Sequence, residues 1–266
     1  MSFLDHLEAL RWHLVRSIVS VMVFAIVAFV FKDFIFSGII IAPKTPEFFT
    51  NRNLCAFGTW VGAKALCINS DPFQLININM AGQFTTHIMV SMIIGLIFAF
   101  PYLIFEMWRF IKPALYDKEQ KYTRGAVFYI SLLFILGVLF AYFVIIPLSV
   151  HFLGSYQVSE EVVNQINLIS YITLVSGIAL AVGIIFELPI LIYFLTKVGL
   201  LTPEFLKKYR KHALVVLLAL SAIITPPDVF SQILVVIPLM ALYEVGIRLS
   251  KNIIKKEQME ARRQAG

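Results

Sequence analysis

Charge is what this sequence lacks most. Only 14% of its 266 residues are Asp, Glu, Lys or Arg, and 59% are hydrophobic; soluble domains carry about 25% charged residues. A water-soluble globular fold is therefore excluded, and the length suits one compact membrane bundle. No Cys/His cluster has metal-ligand spacing, so no metal or other cofactor is expected. No Gly-rich GxxxxGK[ST] loop is present, so a nucleotide is not bound in the usual way. His87 and Ser91 stand four apart, but no GxS elbow or second acid accompanies them, so they read as interfacial polar groups and no enzyme is expected. The start is not basic: Asp5 and Glu8 stand where a secretory signal would carry positive charge, and no small-residue cleavage site follows, so no cleavable signal is expected. The net charge of +6 does not imply nucleic acid, because the basic residues are distributed in another way.

What is present is a series of long apolar runs. They predict an all-α polytopic membrane protein with six transmembrane helices, the last two short. The expected spans are 14–36, 85–107, 126–150, 171–196, 212–224 and 230–246. Together they form one membrane domain, residues 1–250, followed by a basic tail, 251–266. An amphipathic start precedes the first span, with Leu7, Leu10 and Leu14 at helical spacing. Residues 37–83 form a long Pro- and Asn-containing segment that ends in a weaker amphipathic piece, Pro72 to Ala81. The fifth run, 212–224, reaches only ~20 Å as a helix against ~30 Å of hydrocarbon. The last pair therefore either forms a re-entrant hairpin or spans and thins the bilayer. Glu244 and Arg248 are four apart and suit a local ion pair.

Eighteen of the twenty-two Lys and Arg residues lie at the start, in the 108–125 and 197–211 loops, and at the end of the chain. The other four, Lys32, Lys44, Arg52 and Lys64, fall in the segments between. Positive charge stays in the cytoplasm, so both termini are expected there. Cys55 and Cys67 then fall together in the first outside loop. A bridge between them is favoured over two free thiols, since that compartment is oxidising in many bacteria.

One charge lies deep in a span. Tyr171 to Thr196 contains a single ionisable acid, Glu187, ten residues before Lys197, or ~15 Å below the surface. A carboxylate there is costly unless it is protonated, paired or facing water. Pro189 follows two residues later and frees a backbone carbonyl near Ile185, which makes a polar dent in an apolar helix. A proton-coupled secondary transporter is the main alternative that such an acid suggests. The two groups of three spans differ in length and loop pattern, however, and no internal repeat supports it.

Several short patterns occur in a fixed order: His6-Leu7 with Leu10-Arg11 and Leu14; Phe100-Pro101, Trp108, Phe110, Pro113, Leu115-Tyr116 and Glu119; Phe186-Glu187-Leu188-Pro189; Thr225-Pro226-Pro227-Asp228-Val229-Phe230-Ser231-Gln232; then Pro238 and Tyr243-Glu244. Together they resemble the TatC family, the receptor subunit of the twin-arginine protein translocase, over residues 3 to 250. The resemblance implies a bacterial inner-membrane protein that binds the twin-arginine signal peptides of folded proteins at the cytoplasmic face. It also implies small single-span Tat partners, self-association within a larger complex, and export driven by the proton gradient.

Recognition of paired arginines needs fixed carboxylates, which accept a guanidinium in bidentate fashion. Glu119 is the leading candidate, and Leu10, Arg11 and Phe110 join it by resemblance. Relatives generally carry a Glu directly before Leu-Arg, whereas this chain has Ala9 there and the acid at Glu8. Glu106 stands where Gln is common; it either pairs locally with Arg109 or supplies the missing acid. Glu187 with Pro189, and Ser231 with Gln232 and Glu244, are the intramembrane polar groups offered to a partner helix. Pro43 and Asp228 lie in outside loops, where Pro43 shapes a turn and Asp228 caps the sixth helix.

Overall fold

A computed structural model of the chain describes residues 3–70, 73–111, 123–159, 161–162, 164–225 and 229–265. It is all-helical apart from two two-residue strands. Among the described residues, five helical stretches are long and apolar enough to cross a membrane: Glu8–Val30, Gly82–Phe110, Gly125–Ser155, Leu168–Lys197 and Ser231–Lys256.

Helix α1, Phe3–Val30, joins the amphipathic start and the first span without a break, so the span ends near residue 30 rather than 36. A π-helical turn, Phe34–Ile40, follows and bends the chain over the end of the bundle. Helix α2, Phe49–Val61, closes on Gly62 in the left-handed region. The expected amphipathic piece at 72–81 is extended instead: β1, Leu75–Ile76, pairs in parallel with β2, Ile166–Asn167. Helix α3, Gly82–Ile111, runs through Pro101 and returns to the end from which α1 started.

The third span is built of α4, Thr123–Phe140, a π-helical turn, Ala141–Ile145, and α5, Ile146–Ser155. The turn has a local cause. Pro147 cannot donate to the carbonyl one helical turn behind it, that of Phe143. The Thr50 hydroxyl of α2 donates to that carbonyl instead. The carbonyls at the exit of the Phe34–Ile40 turn are met in a similar way: Tyr142 donates to Ile39 at 2.9 Å and Tyr171 to Ile40 at 2.8 Å. These three carbonyls at irregular turns thus have partners, as a low-dielectric interior requires.

The fourth span consists of α6, Leu168–Ile185, and α7, Leu188–Lys197, with Phe186 and Glu187 at the break. A short helix α8, Pro203–Lys208, is capped by the Thr202 hydroxyl. Helix α9, Arg210–Ile224, has 15 residues and is ~22 Å long, short of a full crossing. Helix α10, Val229–Ala265, is continuous over 37 residues. This corrects one expectation: the last helix is not short, since it runs through Pro238 and on into the charged residues 251–265.

Small residues set the closest helix approaches, as is usual where lipid gives no hydrophobic drive between helices. A Cβ at Gly95 of α3 would lie 2.7 Å from the Ala25 amide nitrogen and 2.8 Å from the Val21 carbonyl oxygen of α1. Gly137 of α4 similarly meets Phe186 and Gly183. The buried core runs along the inner sides of the third and fourth spans and α10, through Ile145, Ile146, Ile172, Val182, Val235 and Leu239.

Candidate functional site

At the end of the bundle where α1 begins and α3 finishes, one carboxylate gathers the surrounding polar groups. Tyr102, Glu106, Arg109 and Phe110 recur at helical spacing along one side of α3. His13 and Arg16 occupy neighbouring positions on α1. The Glu106 side chain is 2% exposed. Its Oε2 lies 2.5 Å from His13 Nδ1, and its Oε1 accepts from the Tyr102 hydroxyl at 3.0 Å. Arg16 and Arg109 complete the cluster at 4.0 and 3.8 Å. The His13 ring meets Phe110 edge-on, with centroids 5.9 Å apart.

The Glu106–Arg109 contact expected from spacing is therefore present but loose, and His13 is the closer partner. Sequence reasoning did not single out His13. The signal that could have found it is the pair His13 and Arg16, three apart on one helix, opposite an acid at the same end of another. The cluster fastens α1 to α3 and turns the Glu106 carboxylate inward. Farther towards the start of α1, Glu8, Leu10 and Arg11 are exposed. Glu8 forms no ion pair among the described residues. Glu119 lies outside the described residues, in the segment that follows α3.

The second polar locus is the break in the fourth span. Pro189 sits in the first turn of α7 and is buried. Glu187 immediately precedes that helix, and both of its carboxylate oxygens are buried; among the described residues no side chain bonds them, and the backbone of Phe134 on α4 offers only a loose contact. Gly137 and Gly183 bring α4 and α6 together beside it.

The third locus is the α9–α10 hairpin. The Gln232 amide donates to the Leu218 carbonyl at 3.1 Å, and the Ser221 hydroxyl donates to the Gln232 carbonyl at 3.1 Å. Ser231 is buried. The Gln232 side chain and backbone thus join α9 to α10. Glu244 is also redirected: its carboxylate takes Arg210 of α9, with two N–O distances of 2.6 Å. This corrects the expected local pair with Arg248. A tertiary pair that uses both prongs of the guanidinium fork displaces a contact that spacing alone suggested.

At the opposite end, Pro43 lies buried in a 3-10 turn, Ala42–Lys44. Its carbonyl accepts from Asn51 at 2.9 Å and from Asn69 at 3.3 Å. Asn69 also donates to Pro147 at 3.1 Å, and its own amide donates to His151 Nδ1 at 3.2 Å. Cys55 and Cys67 are joined by a disulfide. Asp228 lies outside the described residues. His87 spends its ring on the Phe29 carbonyl at 3.1 Å, and the Ser91 hydroxyl donates back to the His87 carbonyl at 2.8 Å. That geometry makes no nucleophile–base pair.

Residues 5–238 match the family described as Sec-independent protein translocase protein (TatC). Among similar proteins, the TatC of Blattabacterium sp. subsp. Periplaneta americana is 41% identical over 259 residues, 97% of each chain. TatC of Aquifex aeolicus is 33% identical, over 97% of this chain and 98% of its own. TatCy of Bacillus subtilis is 31% identical, over 97% and 92%. A crystal structure of a twin-arginine translocase receptor, TatC, superposes with a TM-score of 0.64 at 33% identity, covering 92% of this chain and 98% of that one. A second crystal structure of such a receptor, in DDM, gives 0.68 at 32% identity, covering 92% and 99%.

Proposed function

The chain belongs to the TatC family of Sec-independent protein translocase proteins, a protein-transport family, and from that premise we propose that it is the receptor and core subunit of a twin-arginine translocase. It binds the twin-arginine signal peptides of folded proteins at the cytoplasmic face. It assembles with small single-span Tat subunits, and with further copies of itself, for export driven by the proton gradient. The observation that carries this reading is the nearly full-length likeness, at 33% identity, to a solved twin-arginine translocase receptor. The test is capture of a twin-arginine signal peptide by the purified chain, compared with its Lys-Lys version. Arginine's planar fork suits a carboxylate pair and an ammonium does not, so the Lys-Lys peptide should bind at least about tenfold more weakly. Equal capture of the two peptides would overturn the assignment.

The proposed topology has six spans with both termini in the cytoplasm of a bacterial cell, in the inner membrane. The charge bias of the loops supports it, with α9 as the short fifth span, accommodated by local thinning. Lys118→Cys and Lys207→Cys should label only from the cytoplasmic side, and Glu160→Cys only from the other. Labelling of positions 118 and 160 from one side would end this topology.

Glu187 acts as a polar seat for a partner helix. Its two oxygens are buried with no side-chain hydrogen-bond partner among the described residues, and a buried polar group gains most from a partner that satisfies it. Glu187→Gln should therefore keep much of the crosslinking to a single-span partner, and Glu187→Ala should lose it. Equal failure of the two variants would favour an ionised or proton-carrying role instead.

A further inference from the structure

Helix α2 is turned the wrong way for a helix in water. Its packed side carries Asn51 and Gly58, both buried. Asn51 donates to Pro43 at 2.9 Å and to Thr45 at 2.7 Å, and Cys55 on the same side is held by the disulfide to Cys67. The opposite side presents Phe49, Phe57, Trp60 and Val61, all more than half exposed, with Trp60 at 83% and the exposed Asn53 as the polar residue among them. A water-facing cap would bury the aromatic residues and expose the asparagine. Here the asparagine bonds and the disulfide hold the helix with its apolar face outward.

That face continues a surface already facing lipid. Leu132, Leu136, Leu139 and Phe143 form an exposed stripe along the candidate span Gly125–Ser155, rising ~16 Å. The Phe143 ring meets Phe49 edge-on at 6.0 Å, and Thr50 hydrogen-bonds to the Phe143 carbonyl. Phe143 lies ~27 Å along the helix from Gly125, close to the full ~30 Å of hydrocarbon. The apolar stripe thus leaves the span near its upper boundary and passes directly onto α2.

We propose that α2 is an interfacial anchor that lies on the bilayer at the end opposite the basic loops, with Phe49, Phe57 and Trp60 inserted at the headgroup–acyl boundary. Tryptophan is enriched at that depth because its ring is apolar and its N–H remains hydrated. An amphipathic helix lying in the interface buries its apolar face in this way. The disulfide and the Asn51 hydrogen bonds fix the rotation of the helix and hold that face outward.

The experiment uses the full chain, one copy per nanodisc, and the difference in tryptophan emission between it and Trp60→Phe. Trp12 and Trp108 are present in both and cancel. With lipid brominated near the top of the acyl chain, the Trp60 emission should be largely lost, while lipid brominated near the chain end or aqueous acrylamide should leave most of it. Strong quenching by acrylamide without quenching by brominated lipid would overturn the proposal, since the face would then lie in water. Protection from both would also overturn it and assign the face to protein. The reading needs a bilayer but not the receptor assignment: Trp60→Phe should bind signal peptide as the parent chain does. A parent chain that binds no signal peptide yet shows the lipid quenching would fail the receptor reading alone.

Discussion

Glu119→Ala is expected to weaken binding of a twin-arginine signal peptide by roughly ten- to a hundredfold, the loss of one charge-assisted, bidentate hydrogen-bond pair. Two adjacent arginines on an extended peptide point in different directions and need two separated acceptors. Under the proposed function, Glu119 is the candidate for one. Glu8 is the better second acceptor than Glu106, because Glu8 is exposed on α1 whereas the Glu106 carboxylate is already engaged by His13 and Tyr102. Glu8→Ala should therefore cost somewhat less than Glu119→Ala, and Glu106→Gln little. Ala9→Glu in the Glu8→Ala background should restore affinity, since it places an acid directly before Leu10-Arg11, where the motif resemblance expects one. Affinities measured in nanodiscs across the series decide the matter: an unchanged Glu8→Ala with a large loss in Glu106→Gln would identify Glu106 as the second acceptor.

His13→Leu should destabilise the folded chain by about 1.5–3 kcal/mol, the typical contribution of a hydrogen bond to a charged group. The change leaves the Glu106 carboxylate, 2% exposed, without its nearest partner. Arg16 and Arg109 stand at 4.0 and 3.8 Å and are about half exposed, so solvent screening limits what they can replace. Adding Glu106→Leu to His13→Leu should recover part of the loss. Removing both members of a buried pair is less damaging than stranding one, and the remaining Tyr102 and the arginines reach water. Thermal unfolding in one detergent gives the three values. Additive effects of the two substitutions would show that the contact does not fasten α1 to α3.

The apolar runs and the ordered short motifs determined the class and the family, and placed three of the candidate membrane helices to within about five residues. These are one-dimensional properties: hydrophobic length and local composition do not depend on which helix is next to which. The break at Phe186–Glu187 was also legible, because Pro189 acts on the turn immediately behind it. The partners of the polar groups were decided only by the tertiary structure. Spacing suggested Arg109 for Glu106 and Arg248 for Glu244. The bundle added His13 to Glu106 as a closer partner than Arg109, and gave Glu244 Arg210 in place of Arg248, across pairs of helices. It likewise bonded Gln232 back to Leu218 within the hairpin. The outward face of α2 has the same origin. Its own sequence has an apolar side and a polar side, but only the bonds of Asn51 and the Cys55–Cys67 bridge determine which side meets the protein. In an apolar solvent a side chain gains little from being turned away from its surroundings, so the few polar contacts between helices choose the orientation.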